Sequence, residues 1–543
     1  MRRPPCHPCF TATGKARFRS FNHPRVRPMS DKPTELSRRN LLLGGSATAI
    51  AAAFGGPVAA MAATIDQGYG DNCAAADAST LTASPYGPTA PVNDMTTGLP
   101  LIELPAGFTY KSYGWRGDLM SDGLPTPGAH DGMGVVLSRR VGRSNEIILV
   151  RNHELSLSTN AANIVGAGRA NVAKYDTGLT GGSYQVGGNT NLVFRDGNWV
   201  ESYATFGGIY RPCAGGSSSW GSWLSNEEIG SNSISTTGKK HGYIFEIPAD
   251  TSLNAANVNP IVDMGRMAHE ASALDPDTGY WYLTEDAGNA NTLYRFLPNN
   301  INGGLGSLHE GGRMQGLAVR GQPGADLRYP TLCQEFQCDW VEVADPDADR
   351  ASISTTAGTV TGSGPFRGAY ANGGAIFGAN EGCWVANGVV FFTDKATSAA
   401  TATAPARAGV IWSLDLATMV LKAIFVSRDR VVGNSPDNIC ISPRGGLLFN
   451  EDGGDGSPTS ATIVSQHLKV LAPNGRSYIF AKHNYDFTRA QLDAVGKTGA
   501  TSGNQRNTEW AGSVFSPDGR VLFVNLYTGV TLAITGPWTK GTL

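Results

Sequence analysis

Six times along the chain a short β-branched or aromatic run ends in acidic or amide residues, and this recurrence restricts the possible folds more than any other feature. The runs are Ile147-Ile148-Leu149-Val150-Arg151-Asn152-His153-Glu154, Trp223-Leu224-Ser225-Asn226-Glu227-Glu228, Trp281-Tyr282-Leu283-Thr284-Glu285-Asp286, Val389-Val390-Phe391-Phe392-Thr393-Asp394, Leu447-Leu448-Phe449-Asn450-Glu451-Asp452 and Val521-Leu522-Phe523-Val524-Asn525. Several follow a reversal such as Asp275-Pro276-Asp277-Thr278-Gly279 or Ser516-Pro517-Asp518-Gly519, the turn chemistry that precedes a strand. From Glu154 the intervals to Glu228, Asp286, Asp394, Glu451 and Asn525 are 74, 58, 108, 57 and 74 residues. A divergent repeat swollen by insertions predicts an all-β fold, a six-bladed β-propeller, with the segment around 332–362 filling the longest interval. Equivalent strands of a propeller line one central channel. The carboxylates that end them are therefore expected to converge.

Composition removes the competing classes. Only 16 % of the 543 residues are charged, 69 are glycine, and long apolar-periodic stretches are few, which excludes coiled coils and helical repeats. The formal charge of -2 hides an asymmetry: residues 1–63 carry 10 Lys/Arg and 2 Asp/Glu, leaving 33 basic and 43 acidic residues beyond them. An acidic body argues against nucleic acid or an anionic membrane as partner.

The basic N-terminal segment reads as an address. Ser37-Arg38-Arg39-Asn40-Leu41-Leu42-Leu43 opens an Ala/Gly-rich run that ends in Val58-Ala59-Ala60-Met61-Ala62-Ala63, the pattern of a twin-arginine signal cleaved near 60–63. Gly44, Gly45, Gly55, Gly56 and Pro57 interrupt the run too often for a good membrane span. The expected organisation is a 1–63 N-terminal extension and signal peptide, with translation from Met1 or Met29, followed by one β-propeller catalytic domain over 64–543. The expected location is periplasmic or secreted, with the twin-arginine translocase as a transient partner and no membrane span in the mature protein. That route carries folded proteins, which favours a metal inserted before export. The mature chain holds Cys73, Cys213, Cys333, Cys338, Cys383 and Cys440. Cys333 and Cys338 are close enough to close a small loop, although spacing alone fixes no pairing. Cys383 and Cys440, set among apolar residues, read as buried core.

Converging carboxylates repel unless cations compensate them, and oxygen-ligand cations such as calcium suit the task. Arg211-Pro212-Cys213-Ala214-Gly215-Gly216 runs into Ser219-Trp220-Gly221-Ser222-Trp223-Leu224-Ser225-Asn226-Glu227-Glu228. A cysteine among small residues, taken alone, reads as a packed thiol. A thiolate added to oxygen ligands would select a transition metal. His130-Asp131-Gly132, Gly265-Arg266-Met267-Ala268-His269-Glu270-Ala271, Asn380-Glu381-Gly382-Cys383-Trp384 and Pro436-Asp437-Asn438-Ile439 complete the set of motifs.

These motifs, in this order over most of residues 95–540, resemble the PhoX-type alkaline phosphatase family. The resemblance implies a six-bladed propeller with an exposed cluster of iron and calcium ions that hydrolyses phosphomonoesters outside the cytoplasm. Carried over residue by residue, it makes Cys213 the iron-ligating thiolate and Glu228, Glu270 and Glu381 carboxylates of the cluster, with Asn226 beside them in the catalytic set. Glu154, Glu285, Asp286, Asp394, Glu451 and Asp452 match acidic positions around the metals. Asn152, Asn226 and Asn438 are read as carbonyl ligands, substrate hydrogen-bonders or simple caps. His153 and His269 lie within the motifs, and the His130-Asp131-Gly132 segment is a candidate source of a further ligand. Small phosphorylated compounds are the implied substrates, with iron and calcium polarising the phosphoryl oxygens. No Gly-x-Ser-x-Gly elbow supports serine-esterase chemistry.

One departure separates this chain from the pattern. The characterised phosphatases of the family have an arginine shortly before the glutamate of the Glu-Gly motif, where it contacts phosphate; here Gly378-Ala379-Asn380 precede Glu381. Arg151, Arg266 and Arg444 are candidates to replace it. The alternative readings are a calcium-dependent lactonase or phosphotriesterase-like propeller hydrolase, and a non-catalytic calcium-binding propeller. Replacing Arg38 and Arg39 together with lysine is expected to leave the precursor in the cytoplasm. Cell fractionation checks this, and export at the unaltered level would overturn the address reading.

Overall fold

The computed structural model describes residues 81–249, 259–398, 401, 406–453, 465–472 and 475–543. Arg38, Arg39, Met29 and the cleavage region lie outside these residues. The six runs become the second strands of six antiparallel blades: Ser144–His153, Ser222–Glu227, Trp281–Glu285, Val389–Ser398, Leu447–Glu451 and Val521–Leu526. Each pairs with an innermost strand, in order His130–Val141, Pro212–Ser217, His269–Leu274, Asn380–Ala386, Pro436–Ile441 and Trp510–Phe515. The innermost strands pack on one another in sequence, and the sixth packs on the first, so the ring closes. The protein is a six-bladed β-propeller.

Side chains on both faces of these strands are buried between blades, which explains why the runs read as nearly continuous apolar stretches. The third and fourth blades meet at their rims through Glu335–Val343, which pairs with Gly312–Val319 on one side and Val420–Ser427 on the other. This strand, the hairpin Ala351–Thr355/Gly358–Gly362 and the helix Gly364–Ala371 fill the longest interval. Ser363 caps that helix, accepting from the Phe366 amide at 3.1 Å. Cys333 is disulfide-bonded, whereas Cys338, Cys383, Cys440 and Cys213 are free and buried. The short Cys333–Cys338 loop therefore does not form, and Cys383 and Cys440 lie in the core as expected.

Closure uses the start of the described chain. Thr109–Tyr113 is the outer strand of the sixth blade, antiparallel to Val530–Thr535, and Ile102–Pro105 extends the fifth blade beside Ser477–His483. Tyr110 is buried in the cluster these strands share, its hydroxyl donating to the Val92 carbonyl at 2.9 Å and accepting from the Leu101 amide at 2.8 Å. Among the described residues no helix is long and apolar enough to cross a membrane.

Candidate metal centre

In all six blades the pairing between the innermost and second strands breaks register near the start of the innermost strand. Such a bulge adds a residue and re-aims its side chain. In the first five blades the residue at the break is Asp131, Cys213, Glu270, Glu381 and Asp437, all at the same end of the ring. The carbonyls of these five are held by side chains from the preceding blade. Asn152 Nδ2 donates to the Cys213 and Ala214 carbonyls at 2.7 and 2.8 Å, and Asn226 Nδ2 to that of Glu270 at 2.9 Å. Thr284 Oγ1 donates to the Glu381 carbonyl, Thr393 Oγ1 to that of Asp437 at 2.7 Å, and Asn525 Nδ2 to that of Asp131 at 2.6 Å. The blades approach so closely here that a Cβ on Gly132 would lie 2.6 Å from Ala214 Cα, and one on Gly382 would lie 2.6 Å from the Asp437 carbonyl. This explains the glycine of the Glu-Gly motif.

The second strands add the next layer. Their residues opposite the first position of each innermost strand are His153, Glu227, Glu285, Asp394, Glu451 and Leu526. The acidic members of this set bond within the blades. Glu227 accepts from the Tyr210 and Gly242 amides, both at 2.7 Å, and lies 2.6 Å from His241. Glu285 accepts from the Tyr294 hydroxyl at 2.6 Å, and burial raises its pKa to about 7. Asp394 accepts from the Gly378 and Ala379 amides at 2.8 and 2.9 Å. Glu451 meets Lys469 at 2.6 Å and His467 at 2.8 Å; burial works to raise its pKa, but these partners lower it.

Strand alternation sends the following residues the other way, toward the axis: Glu154, Glu228, Asp286, Lys395, Asp452 and Tyr527. Among the described residues, ligand atoms there form four overlapping groups, each within 4.8 Å: Asp131/Glu154/Cys213, Cys213/Glu228/Glu270, Glu270/Glu381/Asp437 and Asp437/Asp452/Glu509. Cys213 Sγ lies 3.3 Å from both Asp131 Oδ2 and Glu270 Oε1.

Most of the expected ligands thus come together: Cys213, Glu154, Glu228, Glu270, Glu381 and Asp452, with Asp286 alongside. Glu285, Asp394 and Glu451 do not join them, and Asn152 and Asn226 spend their amides on the ties between blades. Asn438 donates to Asp437 Oδ1 at 2.9 Å and accepts from the Gly512 amide at 2.5 Å. His130, His153 and His269 face backbone carbonyls of the loops entering their blades, at 2.9, 2.8 and 2.9 Å. Sequence reasoning does not single out Asp437, Glu509, Lys395 or Tyr527 as site residues. Asp437 stands in a quoted motif, one position before the candidate Asn438.

Among the described residues, Arg211 and Lys395 bring cationic side chains to this acidic end. Arg211, in the left-handed region at φ 48°, pairs with Glu154 and with Glu228 at 2.5 Å. Tyr527 donates to the other Glu154 oxygen at 2.6 Å. Lys395 Nζ lies 2.8 Å from Glu381 and 3.1 Å from Asp286. Arg151, Arg266 and Arg444 are committed elsewhere. Arg151 is fully buried against Thr531, Thr190 and His130; Arg266 pairs with Asp347 and Asp349; Arg444 donates to the Gly519 and Leu543 carbonyls.

Burial first, and neighbouring carboxylates next, push Asp131, Glu270, Glu381 and Glu509 well above the usual carboxylate range and Glu228 to about 9. Asp131 Oδ1, Glu270 Oε2 and Glu381 Oε2 are buried with no hydrogen-bond donor. Ionised oxygens without donors in a desolvated cluster require cations. Carboxylates suit hard cations, and the thiol shared by two groups suits a softer metal, so the donor set fits a mixed centre.

Fold and site together define a class: a six-bladed propeller that gathers a thiol and a ring of carboxylates at one end of its inner strands. The family model described as alkaline phosphatase PhoX matches residues 84–204 and 196–529, and the chain belongs to that family. It is accordingly a phosphoric monoester hydrolase. Among solved structures it is similar to Pseudomonas fluorescens PhoX in complex with vanadate, a transition state analogue, at TM-score 0.55 and 15 % identity, covering 84 % of this chain and 98 % of that one. A gluconolactonase from Xanthomonas campestris matches at TM-score 0.31 and 10 % identity, over 76 % of this chain and 97 % of its own. A virginiamycin B lyase from Staphylococcus aureus, crystallised with quinupristin, matches at TM-score 0.31 and 13 % identity, over 79 % and 99 %. No curated protein sequence matches the chain.

The raised carboxylates set a pH dependence. The unfolded chain releases the Glu228 proton near 4.5, whereas the folded metal-free protein keeps it to about 9. Between these values the folded state binds more protons at Glu228, so the contribution of this group to stability is full below 4.5 and is lost as pH rises toward 9. Thermal melts of chelator-treated protein across this range are expected to show the decline, and saturating calcium is expected to flatten it.

Proposed function

We propose that this chain is an exported phosphomonoester hydrolase whose axial channel carries an iron/calcium centre built on Cys213, Glu154, Glu228, Glu270, Glu381 and Asp452, with Asp131, Asp437 and Glu509 added to that set. The observation carrying the proposal is the continuous run of four ligand groups, in which Cys213, Glu270 and Asp437 are each shared by two neighbours. When bound, iron and calcium would supply Lewis-acid polarisation of the phosphoryl oxygens and neutralise the site's negative charge. Cys213 and the carboxylates next to it would hold iron, and the carboxylate groups farther round the ring would hold calcium. Family membership supports export, and the twin-arginine motif at Arg38–Arg39 supports that route.

The remaining chemistry belongs to side chains of this chain. Arg211 pairs with Glu154 and Glu228, which share ligand groups with the thiol, and its side chain is 36 % exposed, so it can meet an entering phosphate while still touching both. Bidentate guanidinium–phosphate contacts favour the dianion and the charge that develops on its oxygens. Arg211 thus supplies from the second blade the positive charge lacking before Glu381 in the fourth. Tyr527 and Arg211 grip opposite oxygens of Glu154 and fix its orientation. The ties from Asn152 and Asn226 keep the Cys213 and Glu270 backbone from shifting as substrate binds.

A thiol within two ligand groups favours this reading over a calcium-only lactonase. Elemental analysis of the exported protein, paired with hydrolysis of p-nitrophenyl phosphate, tests it. Cys213→Ser is expected to fold but lose iron, thiolate-to-iron visible absorption and most of the activity, because serine is harder and far less acidic than cysteine. Arg211→Met is expected to raise KM about tenfold or more, in keeping with the ~1.5–3 kcal/mol of a charged hydrogen bond. Full iron content and activity in Cys213→Ser would transfer the function to a calcium-only centre.

A further inference from the structure

The ligand groups follow a rule of position. At the boundary between the first and second blades the group combines the inner residue of one blade, Asp131, its second-strand residue, Glu154, and the inner residue of the next, Cys213. The boundary between the second and third repeats this with Cys213, Glu228 and Glu270. That between the fifth and sixth keeps Asp437 and Asp452 in the same places, but its third member, Glu509, stands just before the inner strand Trp510–Phe515. At the boundary between the fourth and fifth blades the same register requires Glu381, residue 395 and Asp437. Residue 395 is lysine.

We infer that Lys395 takes the place of one metal ion, its ammonium occupying a cation position between the fourth blade and its neighbours. Nζ contacts carboxylates from three blades: Glu381 at 2.8 Å, Asp286 at 3.1 Å and Asp452 at 3.8 Å. Its side chain is only 26 % exposed, and Glu381 is wholly buried. A single ammonium ringed by three carboxylates does what a bound cation does, neutralising oxygens that would otherwise repel. Asp286, the second-strand residue of the third blade, also turns to the ammonium, and it is absent from the ligand group Glu270/Glu381/Asp437 at its own boundary. A covalently attached cation cannot dissociate and needs no ion from solution, so one positive charge stays on this side of the centre whatever metal is bound.

The inference rests on the proposed metal centre, but its test does not use turnover. Lys395→Glu restores the acid that the register calls for, and Lys395→Gln removes the charge while nearly keeping the side-chain length. Calcium bound per chain is counted by equilibrium dialysis and elemental analysis on the full-length exported protein, alongside thermal melts with and without calcium. The expected result is one more calcium ion per chain in Lys395→Glu than in the unaltered protein, and a larger rise of the melting temperature on adding calcium in both variants. An unchanged calcium count in a folded Lys395→Glu protein would overturn the inference. So would a metal ion bound to both Glu381 and Asp452 in crystals of the unaltered protein with Lys395 turned outward. An unaltered protein without phosphatase activity, whose Lys395→Glu variant still gained the ion, would retain this inference and overturn the proposed function.

Discussion

A hydrogen bond from one blade to the backbone of the next underlies the whole centre. Each inner strand starts with a bulge, and a bulge left to itself is a soft feature. Here the carbonyl of the bulged residue is gripped by an amide or hydroxyl from the preceding second strand, as with Asn152 on Cys213, Asn226 on Glu270 and Thr393 on Asp437. These donors are themselves buried, so the bonds are made in a low dielectric, where losing a partner costs about 1–3 kcal/mol. Removing any one would free a bulge and displace a ligand while leaving the apolar packing between blades in place. Five ties of this kind, repeated around the ring, convert the separate geometry of each blade into one shared register.

That register also explains what could be read from the sequence. The six runs were legible because turn chemistry, β-branched strands and polar ends coincide, and all six proved to be second strands. Which of two adjacent acids faces the axis was not legible. Glu285 and Asp286, and Glu451 and Asp452, look alike in the sequence, yet strand alternation sends one into the blade and the other toward the centre. The inward ones meet cationic or hydrogen-bonding partners from outer strands, as Glu451 meets Lys469, and those partners lie many residues away. On the inner strands Cys213, Glu270 and Glu381 are named only through the family resemblance, and Asp437 is not named as a ligand. A bulge breaks the period of two just where Asp131 and Asp437 stand, so no alternation marks them. Lys395 carried no acidic signal at all, and only the sixfold alignment of the structure gives it meaning.

Opposite electrostatic solutions operate within one ring of blades. The buried Glu451 is stabilised as an anion by fixed protein cations. Glu270 and Asp131, equally buried, keep oxygens with no donor. The first arrangement is complete and serves the blade; the second is incomplete and is the place where chemistry can enter.

The pairing of Thr109–Tyr113 with Val530–Thr535 gives the molecule an order of assembly. During synthesis the first strand of this pair emerges long before its partner, so the sixth blade stays unfinished until nearly the whole chain has been made. The ligand groups draw on every blade, and Glu509 and the Asn525 tie to Asp131 arrive last. The centre therefore works as a completeness check: a truncated or stalled chain can build individual blades, but it cannot assemble the full set of ligands. On the proposed export route, which carries proteins already folded, ring closure becomes the event that separates finished molecules from fragments.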